Sequence, residues 1–499
     1  MCCVMTVNAT KAPDDHKDHD NDVTNTCWPA EYDVWHAACL ILYPHNAGTF
    51  NDLPKARAEI EHFCHCLLTA GQESVLLLLP STGSVTDDDV LAKEVIQRIL
   101  LDENHKGDSV SDEAITKNAD GTPPPTLVVA TCPSNDTWAR DTAPTMVFAQ
   151  SINNDATNAV MQALDWRFNA YGGPEEGCYW PCTLDQDIPR QVCQLLQSTT
   201  SNKTLETATT ATSDALIPCI LPSQAHVIPL AMFGSKPTTI QHVEIDNLVL
   251  EGGAIHTDGQ GTVLTTCECL LNPNRNPNLS KDQVESILKR HLGCTKVLWL
   301  PYGLAFDDDT NGHIDNWCCF VRPGHVVLAW TDQTEDEENY KRCRQANDIL
   351  QQSTDAKGQP ITVHKLFLPN PIYYSNEDVN SLATTIDAIN QESNADHSNV
   401  ATNAADSENQ LSHMVERRVQ QRMAASYINY YVANHALLVP QYGDTHYDAL
   451  AISTLQDILD KGPPKYHKQV IGVPSRELLI GGGNLHCMTQ QIPNPNMWR

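Results

Sequence analysis

One cysteine, one histidine and several carboxylates stand beside apolar segments of this chain, and that combination narrows the chemistry. The Cys ends the run Leu479-Ile480-Gly481-Gly482-Gly483-Asn484-Leu485-His486-Cys487, and a near copy, Leu250-Glu251-Gly252-Gly253-Ala254-Ile255-His256-Thr257, lies about 230 residues earlier. Each reads as an apolar strand entering a glycine turn, followed by an apolar residue and a His. Adjacent glycines permit positive φ and close approach of other groups. The copies differ in their reactive residues, with Cys487 set against Thr257 and Glu251 against Gly481. Such a repeat predicts modules arranged around a shared centre. Three more segments carry reactive types at strand ends: Trp138-Ala139-Arg140-Asp141, Phe306 to Asn316 (with Asp307, Asp308, Asp309, His313 and Asp315), and Gln441-Tyr442-Gly443-Asp444. A Cys-His-Asp hydrolase for acyl groups needs an oxyanion hole and one orienting acid. A cluster of carboxylates would oppose an oxyanion and suits a cationic electrophile instead. A guanidinium fits: it is planar, permanently charged, and offers paired N–H donors to carboxylates. Held between two carboxylates, its carbon would be fixed over the thiolate.

Each segment also has a bland reading. A lone Cys is usually an inert core residue, and an Asp at a strand end is usually a cap or turn residue. The Asp307–Asp315 stretch follows an EF-hand loop up to its ninth position. The twelfth position, where Glu is required, is Cys318, and the flanks read as strands, so no calcium is expected. Cys64-His65-Cys66, Cys267-Glu268-Cys269 and Cys318-Cys319 lack structural-zinc spacing, and no metal is expected there.

The elements that must position these residues alternate between strand and helix character. Residues 28–80 read as strand (Ala38–Leu42), helix (Pro54–Ala70) and strand (Ser74–Leu79), and Thr126–Ala130 reads as a strand leading to Trp138. Repeated alternation predicts an α/β fold rather than segregated all-α and all-β parts. Residues 1–26 read as a disordered tail. Residues 27–499 read as one domain, with polar insertions near 81–125, 174–240 and 372–418.

The chain has 499 residues, 41% hydrophobic and 19% charged, which is ordinary for a globular protein, but its net charge is −30. That balance disfavours nucleic acid and anionic membrane as partners and favours a cationic ligand. Apolar runs such as Val75–Leu79 are too short to span a bilayer, and the first residues lack the apolar stretch of a secretory signal. The 18 Cys include no C-x-x-C, so buried free thiols in a reducing cytoplasm are expected.

Taken in order, Trp138-x-Arg140-Asp141, Glu251-Gly252-Gly253-x-Ile255-His256, Gly312-His313-Ile314-Asp315-Asn316 and Gly481-Gly482-Gly483-Asn484-Leu485-His486-Cys487-Met488-Thr489-Gln490-Gln491 closely resemble the agmatine deiminase family. Trp166-Arg167-Phe168-Asn169, Leu270 to Pro277 and Ala425-Ser426-Tyr427-Ile428-Asn429 match as well, and the resemblance covers about four fifths of the chain. It implies the five-bladed α/β propeller of the guanidino-group-modifying enzymes. By the same resemblance Cys487 is the nucleophile and His313 the general acid and base. Glu251 orients and charges His313, and Asp141 and Asp315 grip the guanidinium. Trp138 stacks on the aliphatic chain, Asp309 meets the distal amine, and Gly482 and Gly483 belong to the substrate-binding turn. Trp28 and Glu31 fall in the family's opening segment and would wall the funnel. The implied reaction converts agmatine to N-carbamoylputrescine and ammonia on the way to putrescine, with no cofactor and no metal. A homodimer is one assembly the sequence leaves open. Tyr171 stands where the family carries Trp, and Ala143 where it carries Gly. A peptidylarginine or free arginine deiminase, with the same chemistry on another substrate, is the alternative, and a non-catalytic acidic scaffold is the remote one. An enzyme for free arginine would need a basic residue for the α-carboxylate. The carboxylates beside Cys487 also predict a thiol that is not acidified in the empty site.

Overall fold

The computed structural model describes residues 26–101, 124–150, 159–197, 217–233, 239–382 and 413–496. The expected tail (1–26) lies almost wholly outside these, as do large parts of the three expected insertions. The fold is α/β.

Five sheets share one plan: a strand, an antiparallel neighbour, then a parallel strand reached through a helix. In the first, Thr145–Gln150 pairs antiparallel with Ala159–Arg167, which pairs parallel with Ile240–Val249. The second joins Ile255–Thr257, Thr262–Thr266 and Lys296–Leu300. The third joins Cys318–Arg322, His325–Trp330 and Thr362–Phe367. The fourth joins Tyr431–Val432, Ala436–Gln441 and Gln469–Pro474. The fifth unites the two ends of the chain: Thr489–Pro493 pairs antiparallel with His36–Leu42, which pairs parallel with Val75–Leu79. Leu127–Thr131 and Cys219–Ile220 extend this last sheet. The crossover helices are Thr183–Leu196, Lys281–Leu292, Glu337–Gln351, Thr445–Asp460 and Leu53–Thr69. Thr183–Leu196 falls inside 174–240, so part of that expected insertion belongs to the repeating unit.

Local chemistry explains these elements. Val75–Leu79 is buried at every position, as a parallel strand covered on both faces should be. Ser280 and Gln283 form a reciprocal capping box at one end of Lys281–Leu292. Gly293, at φ +68°, closes the other end in the left-handed conformation. Asp52 caps Leu53–Thr69 by accepting from the Lys55 N–H.

Two sequence expectations need correction. The apolar residues before the Gly481–Gly483 turn are not a strand but the end of a short helix, Arg476–Ile480. The strand of that repeat ends earlier, at Pro474. Leu478, Leu479 and Ile480 are all buried, and a short apolar run buried all round carries no period that separates helix from strand. The segment Gln441–Asp444 ends a strand, but Asp444 serves as the cap of Thr445–Asp460, its side chain accepting from the Tyr447 N–H.

Candidate active site

Each site residue lies in the same place in the plan, between the parallel strand of one sheet and the hairpin of the next. Asp141 precedes Thr145–Gln150, and Glu251 and Gly253 follow Ile240–Val249. His313 and Asp315 lie between Lys296–Leu300 and Cys318–Arg322. Cys487 lies between Gln469–Pro474 and Thr489–Pro493. The fourth such connection supplies Asn429, just before Tyr431–Val432. It takes the place that Gln441–Asp444 was expected to fill.

All five expected catalytic residues converge, and all are buried. Gly253 marks the meeting point. A methyl group there would lie 2.6 Å from His313 Nδ1, and 2.9 Å from both Asp141 Oδ1 and Asp315 Oδ2. Only glycine leaves this space to three polar groups from two other connections. The Gly253 N–H also donates to Asp141 Oδ1 at 2.9 Å, and the Tyr171 hydroxyl donates to Asp141 Oδ2 at 2.8 Å.

The Cys487 thiol donates to Asp315 Oδ2 at 3.6 Å and accepts from Asn429 Nδ2 at 3.1 Å. Asn429 Oδ1 in turn accepts from the backbone N–H of His486 at 2.9 Å and of Cys487 at 3.3 Å. One amide therefore fixes both the backbone and the sulfur of Cys487. Burial pushes the Cys487 thiol well above its usual range, and Asp315 and Asp141 push it the same way, outweighing the Asn484 backbone contact and the Asn429 hydrogen bond. The thiol of the empty site is thus not acidified.

Burial and the neighbouring Asp315 and Glu251 raise Asp141 to about 6, against the opposing pull of His313. Asp315 is held below the usual carboxylate range: burial opposes this, but the His486 hydrogen bond and charge prevail. His486 bridges two acids, with Nδ1 2.8 Å from Asp315 Oδ2 and Nε2 3.0 Å from Glu31 Oε1. Arg140 Nη1 pairs with the same Glu31 oxygen at 3.1 Å.

Glu251 divides its carboxylate. Oε1 accepts from Arg275 Nε at 2.6 Å, and Oε2 faces His313 Nε2 at 3.6 Å, with all three side chains fully buried. Burial alone would raise Glu251; Arg275 and His313 overcome it and hold the acid at about 2. Burial disfavours the His313 imidazolium, but Asp141, Cys269 and Glu251 drive its pKa well above the usual value. A protonated imidazole in this place could donate to a leaving amine. Glu251, Cys269 and His313 could each turn one ligand atom toward a common point. Both Glu251 oxygens already face a cation, Arg275 on Oε1 and His313 on Oε2, so this trio does not suit a metal.

A pocket partly open to solvent reaches this cluster. Its wall includes Trp138, Asp141, Asp309, Gly482, Gly483 and Cys487, so the expected substrate-binding residues surround it. Gly483 packs against Trp138, where a side chain would overlap the indole and lie 3.0 Å from Cys487 Cβ. Trp28 and Glu31 do not wall this cavity. They line a second one with Arg140, His36 and Gln491, behind His486.

Sequence reasoning missed Asn429, Arg275, His486 and Arg417 as site residues. The first three lie within the matching stretches. Arg417 lies inside the expected insertion 372–418 and carries no local signal.

Residues 27–493 match the Porphyromonas-type peptidyl-arginine deiminase family. The chain belongs to that family. Among relatives of this peptidyl-arginine deiminase family, the agmatine deiminase of Medicago truncatula is 37% identical over 380 residues, 76% of this chain and 81% of that protein. The agmatine deiminase of Pseudomonas fluorescens is 35% identical over 371 residues, 74% and 78% of the two chains. The solved agmatine deiminase of Enterococcus faecalis is 25% identical and superposes with a TM-score of 0.64, covering 94% of this chain and 96% of that one. Among the described residues, no helix is long and apolar enough to cross a membrane.

Proposed function

We propose that this chain is an agmatine deiminase, hydrolysing agmatine to N-carbamoylputrescine and ammonia. The observation that carries the reading is the convergence of Asp141 Oδ1, Asp315 Oδ2 and His313 Nδ1 around Gly253, with the Cys487 thiol hydrogen-bonded to Asp315. Two carboxylates beside a thiol fit a guanidinium by charge and by paired N–H donors. Asp141 and Asp315 take the guanidinium nitrogens, and the arriving cation offsets the negative charge that keeps the Cys487 thiol protonated. As the cation binds, the thiol loses its proton to solvent water, and the thiolate attacks the central carbon. His313 gives its proton to the departing nitrogen, and ammonia leaves a covalent S-alkylthiouronium. Neutral His313 then takes a proton from water, whose oxygen adds to the carbon and expels Cys487. Glu251, tied to Arg275, orients and charges His313 throughout. The product is a substituted urea, and the reaction consumes one water.

The proposal extends to architecture and setting. Five sheets on one plan, each preceded by a connection that contributes to the centre, support a pseudo-fivefold α/β propeller spanning 27–499 as a single catalytic domain. Putrescine synthesis in the cytoplasm is the setting this chemistry suits.

The test is ammonia release from agmatine, free arginine and a blocked peptidyl arginine side by side. Agmatine as the sole good substrate is the expected result. Free arginine stays in the panel for a specific reason: the cavity wall holds a basic residue, Arg417. Citrulline formation as the dominant activity would replace the agmatine reading with the arginine one.

A pH profile provides a second check. Asp141 must be ionised to hold the cation, and in the empty enzyme it titrates near 6. We expect kcat/KM for agmatine to fall about tenfold per pH unit below that point. The corresponding limb on kcat should lie at lower pH, because a bound guanidinium favours the carboxylate. A kcat/KM flat down to pH 4.5 would remove Asp141 from the guanidinium site.

A further inference from the structure

Asp309, the acid expected to meet the distal amine, already has a cationic partner. Arg417 Nη1 lies 2.6 Å from Asp309 Oδ1, with both side chains largely buried in the cavity wall. Arg417 is itself held firmly. Nη2 donates to the Gly481 carbonyl at 3.3 Å, and its guanidinium carbon lies 5.4 Å from the centre of the Tyr374 ring. The Tyr374 hydroxyl donates to the preceding carbonyl, Ile480, at 2.8 Å. Arg417 and Tyr374 thus grip two successive carbonyls of the turn that leads to Cys487. The chain reaches Arg417 through Met414, paired with Tyr179, and Val415, whose N–H donates to the Cys178 carbonyl at 2.7 Å.

Gly482 shows where the pair lies. It has φ +105°, and a methyl group on it would overlap Asp309 Oδ2 and come within 2.9 Å of Arg417 Nη2. The space that a side chain at 482 would need is given to this ion pair. Among the described residues no donor is paired with Oδ2, which is the oxygen turned toward the glycine turn.

We propose that Arg417 is the positioning residue behind this pocket's preference for a terminal cation: it fixes Asp309 through Oδ1 and leaves Oδ2 to receive the substrate's distal ammonium. The inference rests on the agmatine reading. A carboxylate held in place loses little conformational freedom when the ammonium arrives, so more of the contact energy appears as affinity. The resulting row is cation, anion, cation, with the shared carboxylate between the two positive groups. A substrate without the amine gains nothing from this arrangement.

The experiment compares agmatine with n-butylguanidine, which keeps the guanidinium and chain but lacks the amine, in the wild type, Arg417→Met, Arg417→Lys, Asp309→Asn and the Arg417→Met/Asp309→Asn double variant. We expect Arg417→Met to raise KM for agmatine on the order of 10-fold with kcat changed far less, the loss of one charge-assisted contact. The kcat/KM preference for agmatine over butylguanidine should fall by the same factor, and Arg417→Lys should restore part of it. Because Arg417 acts through Asp309, its removal should add nothing in the Asp309→Asn background. A lower KM for agmatine in Arg417→Met would overturn the proposal, since Arg417 would then compete with the amine. Equal losses on both substrates, or additive effects in the double variant, would reduce Arg417 to a structural role. Turnover of free arginine that Arg417→Met abolishes would make Arg417 a carboxylate receptor and equally overturn it. A wild type that turns over both guanidines without preferring agmatine would instead defeat the substrate reading, and this proposal with it.

Discussion

Replacing Cys487 with Ser should lower guanidine hydrolysis on the order of 10⁴-fold or more while leaving the cavity intact. A nucleophile that acts as one unit with its acid and base carries nearly the whole covalent pathway, so its loss is not shared out among neighbours. The sulfur is already hard to ionise in this site. A hydroxyl, whose intrinsic pKa lies far higher, would be harder still, and the arriving cation cannot close that gap. The same substitution is nearly isosteric, and Asn429 still has a partner in the Ser oxygen. Its backbone hydrogen bonds at residues 486 and 487 do not depend on sulfur. Agmatine binding, measured by calorimetry on the Ser variant, should therefore stay within a few-fold of the wild-type KM. A Ser variant that keeps a tenth of the wild-type rate would exclude the covalent route. One that loses binding as well as turnover would show that the sulfur shapes the pocket rather than the chemistry.

The second large effect is on stability. Arg275→Met should destabilise the protein by about 3–5 kcal/mol and cripple turnover together, because it strips the buried Glu251 carboxylate of its closest cation and leaves only the longer contact to His313. Met fills similar volume, so the lost charge dominates over a cavity. Arg275 also donates to Asn311 Oδ1 at 2.8 Å, in the loop that carries His313, so its removal loosens the general acid as well. The sign with pH is specific. Glu251 is depressed from 4.5 to about 2 in the folded protein, so the stability it contributes is fully present above pH 4.5 and is lost as pH falls toward 2. In the Met variant that contribution is gone, and protonating Glu251 relieves the stranded charge. The gap in Tm between wild type and variant should be widest near pH 7 and narrow as the pH is lowered toward 4. Melting curves at several pH values measure it directly. A gap that widens in acid would mean that Arg275 does not hold Glu251 ionised.

These expectations depend on residues that differ in how far the sequence announces them. Cys487, His313, Glu251, Asp141 and Asp315 sit in ordered motifs whose residue types suit a cationic, planar substrate. The glycines beside them are equally legible, since two or three in a row at a strand–loop junction signal close approach. The alternation of strand and helix likewise predicts an α/β fold from local periodicity alone.

Other features were decided only by assembly. The run Leu478–Ile480 looks like a strand because burial makes every position apolar, and the structure makes it a helical turn. Asp444 looks like a site acid by position, yet a helix start beside it claims the carboxylate. Asn429 carries no charge and no reactivity, and becomes important only because folding sets its amide against the sulfur of Cys487, 58 residues away. Arg417 lies 108 residues from Asp309, and nothing in either neighbourhood foretells the ion pair. The sequence by itself determined the class of fold, which follows from short-range pattern, while its motifs proposed Cys487 as the nucleophile, by resemblance, and a cationic substrate. Tertiary structure alone decided which amide holds the nucleophile, which cation holds Glu251 and what Asp309 faces. Those are long-range encounters between side chains, and spacing along a chain does not encode distance across a core.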